Sequence, residues 1–503
     1  MDKADWAILS KGKFILAAII MVAVLALPSF IYTGSYIIAD APAPEEGVEL
    51  PPNPDETLSE GLLFIVLDGG VRDLMLDKDL MPTLHSQVFP NGTYLDVLTN
   101  PLTMTASCVK EMATGIPSRP NEGLSNFHPE HPGTQDGWTL ASESDRNNDG
   151  IYDYRVGIVG DYVWGDLYAN NEKINFMKHR YGHADYYQGD TESFETLNSW
   201  LDGEVPKSNT KPGVTFEQAP NVIIAHLSGL DSVGHRYGVE NSDEYEEKLT
   251  WLDNNFNTIF DKVPDDWTVV VTSDHGLTDS GQHGSPDLEI REVGAWMWGP
   301  NIKQNYISPN QIDQRDLATL PSLMLSLPLP HAVHGKFPLD ALEITEEKVQ
   351  ELDQWNWNST ISRNEWMQEN DHPYFEDLTR DNIEWEKITY DEIGMRVSDL
   401  AISAIFFCGI IAGIVFIMRK QDFSSSVIKY TAASIFTVFA ASAFISYNRD
   451  TLALLYYMFG YFLPILFALI VIVLFCTDKF SQKVRERMTI SSIILFMVMI
   501  IYT

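Results

Sequence analysis

Four short apolar segments restrict the fold of this 503-residue chain more than any other feature. Each is nearly continuous in Val, Ile and Leu, which is typical of parallel strands that are buried on both faces. Helical patterns lie between them, for example over residues 242–260. Strands that alternate with helices predict an α/β domain built on a mainly parallel sheet. The four segments are G-L-L-F-I-V-L (61–67), Y-R-V-G-I-V-G (154–160), N-V-I-I-A-H-L (221–227) and W-T-V-V-V-T-S (267–273).

Acidic residues follow each of the four predicted strands. In an open α/β sheet, the ligand-binding crevice lies outside the carboxyl ends of the strands. One Asp in such a place is usually a turn residue or a helix cap. Metal-capable side chains after several successive strands instead predict a shared site at one edge of the sheet. These side chains are Asp68, Asp161, Asp231 and the adjacent pair Asp274 and His275.

Two further histidines extend this set of candidate ligands. The stretch D-S-V-G-H places Asp231 and His235 four residues apart, which is one turn of a helix. His283 follows Asp274 in the same Gly-rich loop, whereas Asp279 in that loop is interpreted as a turn residue. Oxygen and nitrogen ligands without a thiolate suit divalent cations of the zinc type. We therefore expect a pair of such cations, which can clamp the attacking and leaving oxygens of an in-line phosphoryl transfer.

A hydroxyl-rich turn within residues 100–115 offers a nucleophile. The stretch N-P-L-T-M-T-A-S-C-V-K-E-M-A-T-G runs from this turn into a short helical segment. A Thr or Ser at a helix start is most often a plain N-cap. The alternative is a metal-bound hydroxyl whose pKa falls so that it acts as an alkoxide-like nucleophile, with the helix N-terminus favouring a phosphate group. Both interpretations stay open on the residues alone.

Apolar segments at both ends of the chain predict membrane helices. Residues 14–38 follow three lysines and are long enough to cross a bilayer, which needs roughly 20 residues. Their length favours an uncleaved signal anchor over a cleaved signal peptide. Two basic connections between the C-terminal segments belong in the cytoplasm with the N-terminus, which places the central region on the extracytoplasmic side. The C-terminal segments cover about residues 399–418, 428–447, 452–476 and 488–502.

The central region carries most of the acidic residues of the chain. A nucleic-acid-binding surface needs clustered Lys and Arg, so the formal net charge of -36 argues against a nucleic-acid partner. Together with the membrane segments, this composition divides the chain into six predicted parts. They are a cytoplasmic N-terminus (1–13), a transmembrane signal anchor (14–38), a linker (39–58), a catalytic α/β domain (59–335), an acidic extension (336–397) and a four-helix transmembrane region (398–503).

Ordered motifs between residues 67 and 330 carry a family resemblance. The chain resembles the alkaline-phosphatase superfamily and, within it, the type I phosphodiesterase/nucleotide pyrophosphatase branch. It looks closest to the ethanolamine-phosphate transferases of glycosylphosphatidylinositol-anchor synthesis. The resemblance covers roughly residues 60–335 and implies an alkaline-phosphatase-like sandwich, with helices on both faces of the sheet. The motifs are L-D-G-G-V-R-D (67–73), T-M-T-A-S-C-V-K-E-M-A-T-G (103–115), L-S-N-F (124–127), V-G-I-V-G-D-Y-V-W-G-D-L-Y (156–168), A-H-L-S-G-L-D-S-V-G-H-R-Y-G (225–238), S-D-H-G-L-T-D-S-G-Q-H-G (273–284) and D-L-A-T-L-P-S-L-M-L-S-L-P-L-P (316–330).

The resemblance implies roles for individual residues. Counting back from Thr114 places the nucleophile on Thr105 rather than Thr103. Asn126 corresponds to a residue that helps to hold the phosphoryl oxygens. The family pattern implies that one zinc ion is held by Asp231, His235 and His283, and the other by Asp68, Thr105, Asp274 and His275.

Three functions are compatible with this resemblance. The first is a membrane-anchored dizinc phosphotransferase that moves phosphoethanolamine, or a similar head group, from a phospholipid to a hydroxyl of a glycan or glycolipid through a phospho-threonine intermediate. The alternative is a phosphodiesterase or nucleotide pyrophosphatase with water as the acceptor. The third is an inactive, metal-stabilised surface module. Retention of Thr105 beside six side-chain ligands argues against the third, because a structural site needs no nucleophile.

Two residues within these motifs are interpreted in terms of packing as well as chemistry. Trp164 is interpreted either as lining the substrate pocket or as packing in the core. His226 lies inside the third predicted strand and is interpreted as a hydrogen-bonded core residue.

Overall fold

One mixed β-sheet organises the part of the chain that the structure describes. This structure is a computed structural model, and it describes residues 52, 54, 56–118, 135–146, 149–168, 174–180, 186–211, 213–370 and 378–380. The strands of the sheet are β1 (Gly61–Leu67), β2 (Gly92–Leu98), β3 (Val156–Asp161), β4 (Phe176–Arg180), β5 (Val222–Leu227), β6 (Trp267–Ser273), β7 (Glu292–Trp298), β8 (Tyr306–Ile307) and β9 (Ile312–Asp313).

Helices connect most of these strands and cover both faces of the sheet. They are α1 (Arg72–Met75), α2 (Thr105–Thr114), α3 (Gly137–Glu143), α4 (Tyr162–Leu167), α5 (Gln188–Leu201), α6 (Gly229–Tyr237), α7 (Asp243–Phe260), α8 (Leu288–Arg291), α9 (Leu320–Leu325) and α10 (Glu346–Glu369). Short 3-10 turns span Phe89–Asn91, Gln314–Thr319 and Leu339–Ala341, and a π turn spans Leu84–Val88.

The order of the strands confirms the α/β prediction and adds an antiparallel edge. The order is β4-β3-β5-β1-β6-β7-β2-β8, with β9 also pairing with β2. All pairs from β4 to β6 are parallel, whereas β7 is antiparallel to both β6 and β2. The four strands that the apolar segments predict are β1, β3, β5 and β6, which lie side by side. The antiparallel edge was not predicted, because the apolar-run criterion selects only strands that are buried on both faces.

Alternate residues of the central strand enter two separate hydrophobic cores. Leu62, Phe64 and Val66 of β1 pack on one face with apolar residues of α2, α3, α4, α9 and α10. Leu63 and Ile65 pack on the other face with apolar residues of α5, α6 and α7. This period of two follows from strand geometry, and burial on both faces explains why β1 contains no polar residue.

Residues beyond 335 pack against the same core. The ring centroids of Phe337 and Trp355 lie 5.1 Å apart, and Leu342 forms a β-bridge with Ile302. Thr345 caps the start of α10, because its side chain accepts a hydrogen bond from the backbone N–H of Lys348. The first part of the predicted acidic extension is therefore packed onto the α/β unit.

The predicted membrane segments lie outside the described residues. This holds for the signal anchor at 14–38 and for the four-helix region at 398–503, which both stay predictions. Among the helices that the structure does describe, none has the length and apolar character needed to cross a membrane.

Candidate metal centre

Strand register brings three aspartates to one edge of the sheet. Leu67, the last residue of β1, is level with Leu227 of β5 and with Ser273 of β6. Because these strands are parallel, their next residues leave the sheet at the same edge. Asp68 and Asp274 follow directly, and Asp231 follows within the first turn of α6. The register of the strands is therefore enough to bring these carboxylates to the same edge of the sheet.

The first group of candidate ligands is completely buried and consists of Asp68, Asp274 and His275. Their potential ligand atoms all lie within 4.8 Å of one another. The Nε2 atom of His275 is 3.3 Å from Oδ2 of Asp274 and 3.7 Å from Oδ1 of Asp68. Relative exposures are 2% for Asp68 and 0% for the other two. We call this group the buried cluster.

The carboxylate of Asp274 has one oxygen held by the protein and one directed at the cluster. Oδ1 of Asp274 accepts hydrogen bonds from the backbone N–H groups of Gly69 (3.1 Å) and His275 (2.9 Å). Its backbone carbonyl accepts a hydrogen bond from the side chain of Gln314 (2.6 Å). Among the described residues, no hydrogen-bond donor reaches Oδ2 of Asp274 or Oδ1 of Asp68, although both atoms are buried. Buried carboxylate oxygens without a donor are expensive to desolvate, so they fit a divalent cation.

The second group consists of Asp231, His235 and His283, and their potential ligand atoms also lie within 4.8 Å of one another. Nε2 of His235 is 3.3 Å from Oδ2 of Asp231 and 3.1 Å from Nε2 of His283. The Asp231–His235 pair is one helical turn apart on α6, as the sequence predicts. The side chain of His235 is 39% exposed. We call this group the open cluster.

The two clusters touch each other through their histidine rings. The rings of His275 and His283 are stacked with centroids 4.1 Å apart. The rings of His283 and His235 follow at 4.9 Å. Two cations bound at these clusters would therefore occupy one continuous site, as a pair of ions acting on one phosphate requires.

Hydrogen bonds at the far side of each ring direct Nε2 towards the clusters. Nδ1 of His275 lies 3.1 Å from the carbonyl of Gly276, and Nδ1 of His283 lies 2.7 Å from the carbonyl of Thr103. A carbonyl can only accept, so each Nδ1 carries the proton and each Nε2 keeps its lone pair. This arrangement of a histidine with a fixed tautomer is common at metal sites.

Thr103 connects the segment with the predicted nucleophile to the loop that carries His283. Its hydroxyl donates to the carbonyl of Ser285 (2.8 Å) and accepts from the backbone N–H of Gly284 (2.8 Å). Its own carbonyl holds His283. Thr103 is fully buried. In the motif T-M-T, Thr103 therefore holds the loop that carries His283, whereas Thr105 faces the site.

Two glycines allow backbone segments of the site to approach closely. Gly69 has φ +70°, and a Cβ atom there would lie 3.0 Å from the Cα of Asp231. Gly281 has φ +73°, and a Cβ atom there would lie 1.9 Å from the carbonyl oxygen of Gly234. Only glycine adopts such φ values without strain and leaves this space free. Gly281 therefore lets the loop fold onto α6, which brings His283 to the open cluster.

Thr105 is the first residue of α2, and its hydroxyl reaches the buried cluster. Oγ1 of Thr105 lies 3.4 Å from Nε2 of His275. The N-cap of α2 is Met104, whose side chain makes no capping hydrogen bond. The plain N-cap interpretation of Thr105 is therefore wrong, because the residue lies one position inside the helix. Its half-buried hydroxyl faces the metal ligands instead.

Burial shifts the protonation equilibria of the candidate ligands in the absence of a cation. Desolvation raises the pKa of Asp274 to about 6 and raises the pKa of Asp68 well above its usual range. Desolvation also lowers the pKa of both His275 and His283 to about 4. The histidines are consequently neutral at pH 7, which is the form that binds a metal. A bound cation would reverse the desolvation penalty of the carboxylates.

A buried ion pair that sequence reasoning missed supports the start of α6. Nζ of Lys248 lies 2.7 Å from Oδ2 of Asp190, and the two side chains are 0% and 3% exposed. Oδ1 of Asp190 accepts a hydrogen bond from the backbone N–H of Gly229, the first residue of α6. Lys248 also lies over the rings of Tyr187 and Trp251. No local sequence signal links Asp190 to Lys248, because they come from separate helices.

Other residues singled out in the sequence have different roles. Asp161 caps α4, since its side chain accepts from the backbone N–H of Val163 (2.8 Å). Trp164 is completely buried and does not line a surface pocket. His226 accepts a hydrogen bond from Trp164, which confirms that it is a hydrogen-bonded core residue. Asn126 lies outside the described residues, so its role stays a prediction.

Comparisons with known proteins agree with the resemblance seen in the motifs. Residues 62–292 match the family profile of type I phosphodiesterases and nucleotide pyrophosphatases. Over 186 residues, the chain is 27% identical to the mouse GPI ethanolamine phosphate transferase 3 catalytic subunit; the match covers 36% of this chain and 16% of that protein. Over 196 residues, it is 30% identical to GPI ethanolamine phosphate transferase 1 of Yarrowia lipolytica; the match covers 33% of this chain and 21% of that protein. The matched regions are thus about a fifth or less of the length of these relatives.

Two solved structures can be superposed on this fold. Murine ectonucleotide pyrophosphatase/phosphodiesterase 5 matches 58% of this chain and 99% of its own, with 14% identity and a TM-score of 0.40. An alkaline-phosphatase-superfamily protein of Vibrio parahaemolyticus matches 66% of this chain and 95% of its own, with 12% identity and a TM-score of 0.39.

Proposed function

We propose that this chain, which resembles the type I phosphodiesterases and nucleotide pyrophosphatases over residues 62–292, is a metal-dependent phosphotransferase. Its proposed donor is a phospholipid that carries phosphoethanolamine or a similar head group. Its proposed acceptor is a hydroxyl group of a glycan or glycolipid. The proposal transfers to this chain the activity named for the matched ethanolamine phosphate transferases.

One observation carries the proposal, namely the position of the Thr105 hydroxyl. It lies 3.4 Å from Nε2 of His275, a member of the buried cluster whose ring stacks on that of His283 in the open cluster. A metal site with only a structural role has no use for a half-buried hydroxyl at this place. The N-terminus of α2 also provides a favourable field for an anionic phosphate group.

We assign two divalent cations, most consistent with Zn²⁺, to the two clusters. Asp231, His235 and His283 would hold one cation. Asp68, Asp274 and His275 would hold the other together with the Thr105 hydroxyl. These are oxygen and nitrogen ligands in the numbers that zinc prefers. When bound, the cations would supply Lewis-acid stabilisation of the phosphoryl oxygens and lower the pKa of the Thr105 hydroxyl.

The chemistry of the protein residues follows from this arrangement. Oγ1 of Thr105 attacks the phosphorus of the donor, and the bond between phosphorus and the leaving alkoxide breaks. The product is a phosphoethanolamine ester of Thr105, and the lipid alkoxide takes up a proton. In the second half-reaction, the acceptor hydroxyl attacks the same phosphorus, and Thr105 leaves and is regenerated. Asn126 is proposed to hold the phosphoryl oxygens during both steps.

The proposed location follows from the predicted membrane segments. A domain tethered by the helices at 14–38 and 398–503 would lie close to lipid head groups on the extracytoplasmic side. This position suits a reaction whose donor is a phospholipid. The membrane attachment stays a proposal, because these segments lie outside the described residues.

The decisive experiment traps the ester on Thr105. The full-length protein is incubated with phosphatidylethanolamine and Zn²⁺, quenched in acid, and digested for peptide mass spectrometry. We expect a mass increase of one phosphoethanolamine group on the peptide that contains Thr105. Thr105→Ser should still form the adduct, because it keeps a hydroxyl, whereas Thr105→Ala should not. An active Thr105→Ala variant, assayed with a chromogenic phosphodiester, would refute the mechanism.

The alternative function uses water in place of the glycan hydroxyl. It is a phosphodiesterase or nucleotide pyrophosphatase, the activity named in the matched family profile. The two functions share the ester on Thr105 and differ only in what resolves it. Hydrolysis of nucleotide phosphodiesters, without any transfer to an added glycolipid, would select the alternative. Loss of phosphoethanolamine from surface glycolipids on deletion of the gene would select the transferase.

A further inference from the structure

A buried histidine next to Asp68 has no role in the ligand set described above. His226 lies on β5, in register with Val66 of β1. Its Nε2 atom is 3.5 Å from Oδ2 of Asp68, and the two side chains are 0% and 2% exposed. Oδ1 of the same carboxylate faces His275 in the buried cluster. Asp68 therefore has one oxygen towards His226 and the other towards the proposed cation.

The indole of Trp164 determines which nitrogen of His226 carries the proton. Its Nε1 atom lies 2.9 Å from Nδ1 of His226. An indole N–H can only donate, so Nδ1 of His226 must accept. The proton of the neutral imidazole is then on Nε2, on the side of Asp68. An imidazolium ring would place two donors face to face at Nδ1, so this contact also disfavours the charged form of His226.

We propose that Trp164 and His226 act as a positioning pair for Asp68. Trp164 fixes the tautomer of His226, and the Nε2–H group of His226 holds Oδ2 of Asp68 so that Oδ1 is presented to the cation of the buried cluster. His226 is a positioning residue and not a metal ligand, because its Nε2 lone pair is occupied by the proton. Only the cation-binding part of the proposed function is assumed, not the identity of donor or acceptor.

The electrostatics of the site explain why a neutral donor suits this position. A positively charged side chain beside Asp68 would repel the cation that Asp68 has to bind. A neutral N–H group orients the carboxylate without adding a charge. The distance of 3.5 Å is long for a hydrogen bond. We expect it to shorten when a bound cation keeps Asp68 ionised and fixes its second oxygen.

The test measures cation binding at the buried cluster alone, without any substrate. His235→Ala serves as the background, because it removes a ligand of the open cluster only. The full-length protein is titrated with Co²⁺, whose visible absorption reports the coordination of the ion. Adding Trp164→Phe or His226→Phe should lower the affinity by about 10- to 100-fold, the usual effect of losing a residue that orients a ligand. His226→Gln should recover most of it, because an amide N–H can replace Nε2–H.

Trp138→Phe is the matched control for loss of an indole. Trp138 is also completely buried in the same core. Among the described residues, its Nε1 atom has no hydrogen-bond partner. The control should lose thermal stability as Trp164→Phe does but should bind Co²⁺ like the background. This comparison separates positioning from general loosening of the core.

Two results would overturn the proposal. The first is equal Co²⁺ affinity of the Trp164→Phe and Trp138→Phe variants. The second is a Gln variant at position 226 that binds Co²⁺ no better than the Phe variant. If His226→Phe does not fold, Trp164→Phe and His226→Gln still decide the question. Failure of the Thr105 experiment would leave this titration unaffected, so the two proposals can fail separately.

Discussion

The buried cluster and the open cluster have similar candidate ligands, but different structural elements hold these ligands in place. The buried cluster takes two of its three residues directly from strand ends, and all three are shielded from solvent. The open cluster takes Asp231 and His235 from α6 and His283 from a loop. The side chain of His235 is 39% exposed, whereas that of His283 is 11% exposed. One half of the site is therefore fixed by the sheet and the other by helix–loop packing.

Because of this difference, the two halves of the site are suited to different steps of the proposed reaction. In the proposed function, a water-excluded cluster would keep the proposed nucleophile Thr105 in place, because preorganised groups need no reorganisation during the reaction. A more accessible cluster can admit a donor and release a leaving group. Each cluster also depends on its own supporting residues. For the buried one they are Gln314 and His226, and for the open one they are Thr103 and Asp190.

Removing a ligand from each cluster should give the largest and most unequal effects. Asp274→Ala should abolish binding of one cation and reduce activity at least about 100-fold. It should also destabilise the fold by about 1–3 kcal/mol, because the N–H groups of Gly69 and His275 lose their acceptor. His235→Ala should abolish binding of the other cation with little change in thermal stability, because its side chain is partly solvated. The measurements are metal content by mass spectrometry, chromogenic diester hydrolysis and thermal unfolding.

Asp279→Ala is the control for the ligand removals. Asp279 lies in the same loop but is exposed, and in the part of the chain that the structure describes its backbone carbonyl alone is used, by Val239 and Glu240. It should bind both cations normally. If Asp274→Ala and His235→Ala lowered stability equally, the contrast between a rigid and an accessible cluster would be wrong.

A smaller effect should follow from loosening the support of the open cluster. Thr103→Val keeps the shape of the side chain but removes the hydroxyl that joins Gly284 and Ser285. We expect about tenfold weaker cation binding at the open cluster, measured by Co²⁺ titration in the Asp274→Ala background. Binding at the buried cluster, measured in the His235→Ala background, should be unchanged.

Thr93→Val provides the matched substitution for Thr103→Val. Thr93 is equally buried, and its hydroxyl donates to the carbonyl of Lys303 (2.8 Å), away from the metal ligands. Both variants lose a buried hydroxyl hydrogen bond, which is worth about 1 kcal/mol. Only Thr103→Val should alter cation affinity. Equal affinities in the two variants would show that Thr103 has no special connection to His283.

Cation binding at the buried cluster should also depend on pH. The metal-free Asp274 has a pKa of about 6, and the pKa of Asp68 is also raised. As pH falls from 7 to 5, these carboxyl groups take up protons that a cation must displace, so the affinity of the buried cluster should fall, by up to about tenfold per pH unit for each group. His275 adds nothing in this window, because its pKa of about 4 keeps it neutral.

Co²⁺ titrations of the His235→Ala variant at pH 7.5, 6.5 and 5.5 measure this effect. Raised pKa values mean that the carboxyl groups of Asp68 and Asp274 favour the protonated form. The affinity for Co²⁺ should therefore decrease as the pH falls. An affinity that is constant over this range would mean that Asp68 and Asp274 are already ionised at pH 5.5. That result would contradict the desolvation that distinguishes the buried cluster from the open one.

The sequence was sufficient to predict much of the fold and the candidate ligands. The apolar segments located β1, β3, β5 and β6 to within two residues at either end. Because parallel strands end at the same edge, the acidic residues after them could be assigned to one site. The spacing of Asp231 and His235 also predicted their shared helix face. These inferences depend on local periodicity, which a single sequence displays directly.

Contacts between distant segments could not be predicted in this way. The antiparallel strands β2 and β7 have mixed patterns, and their pairing depends on residues about two hundred positions apart. The N-cap interpretation of Thr105 stayed open because the start of a helix is uncertain by one or two residues from sequence alone. The two roles considered for Trp164 differ only in the direction of its side chain. That direction depends on what packs around it.

The amino-acid sequence by itself determined the chemistry that this protein has available, namely three carboxylates, three imidazoles and a threonine hydroxyl. Only the tertiary structure decided how these groups are divided and supported. It separated a buried cluster from an open one, directed the Nε2 atoms of His275 and His283 by a hydrogen bond at Nδ1, and placed His226 behind Asp68. The physical reason is that desolvation and hydrogen-bond direction depend on neighbours in space, which a linear pattern does not contain.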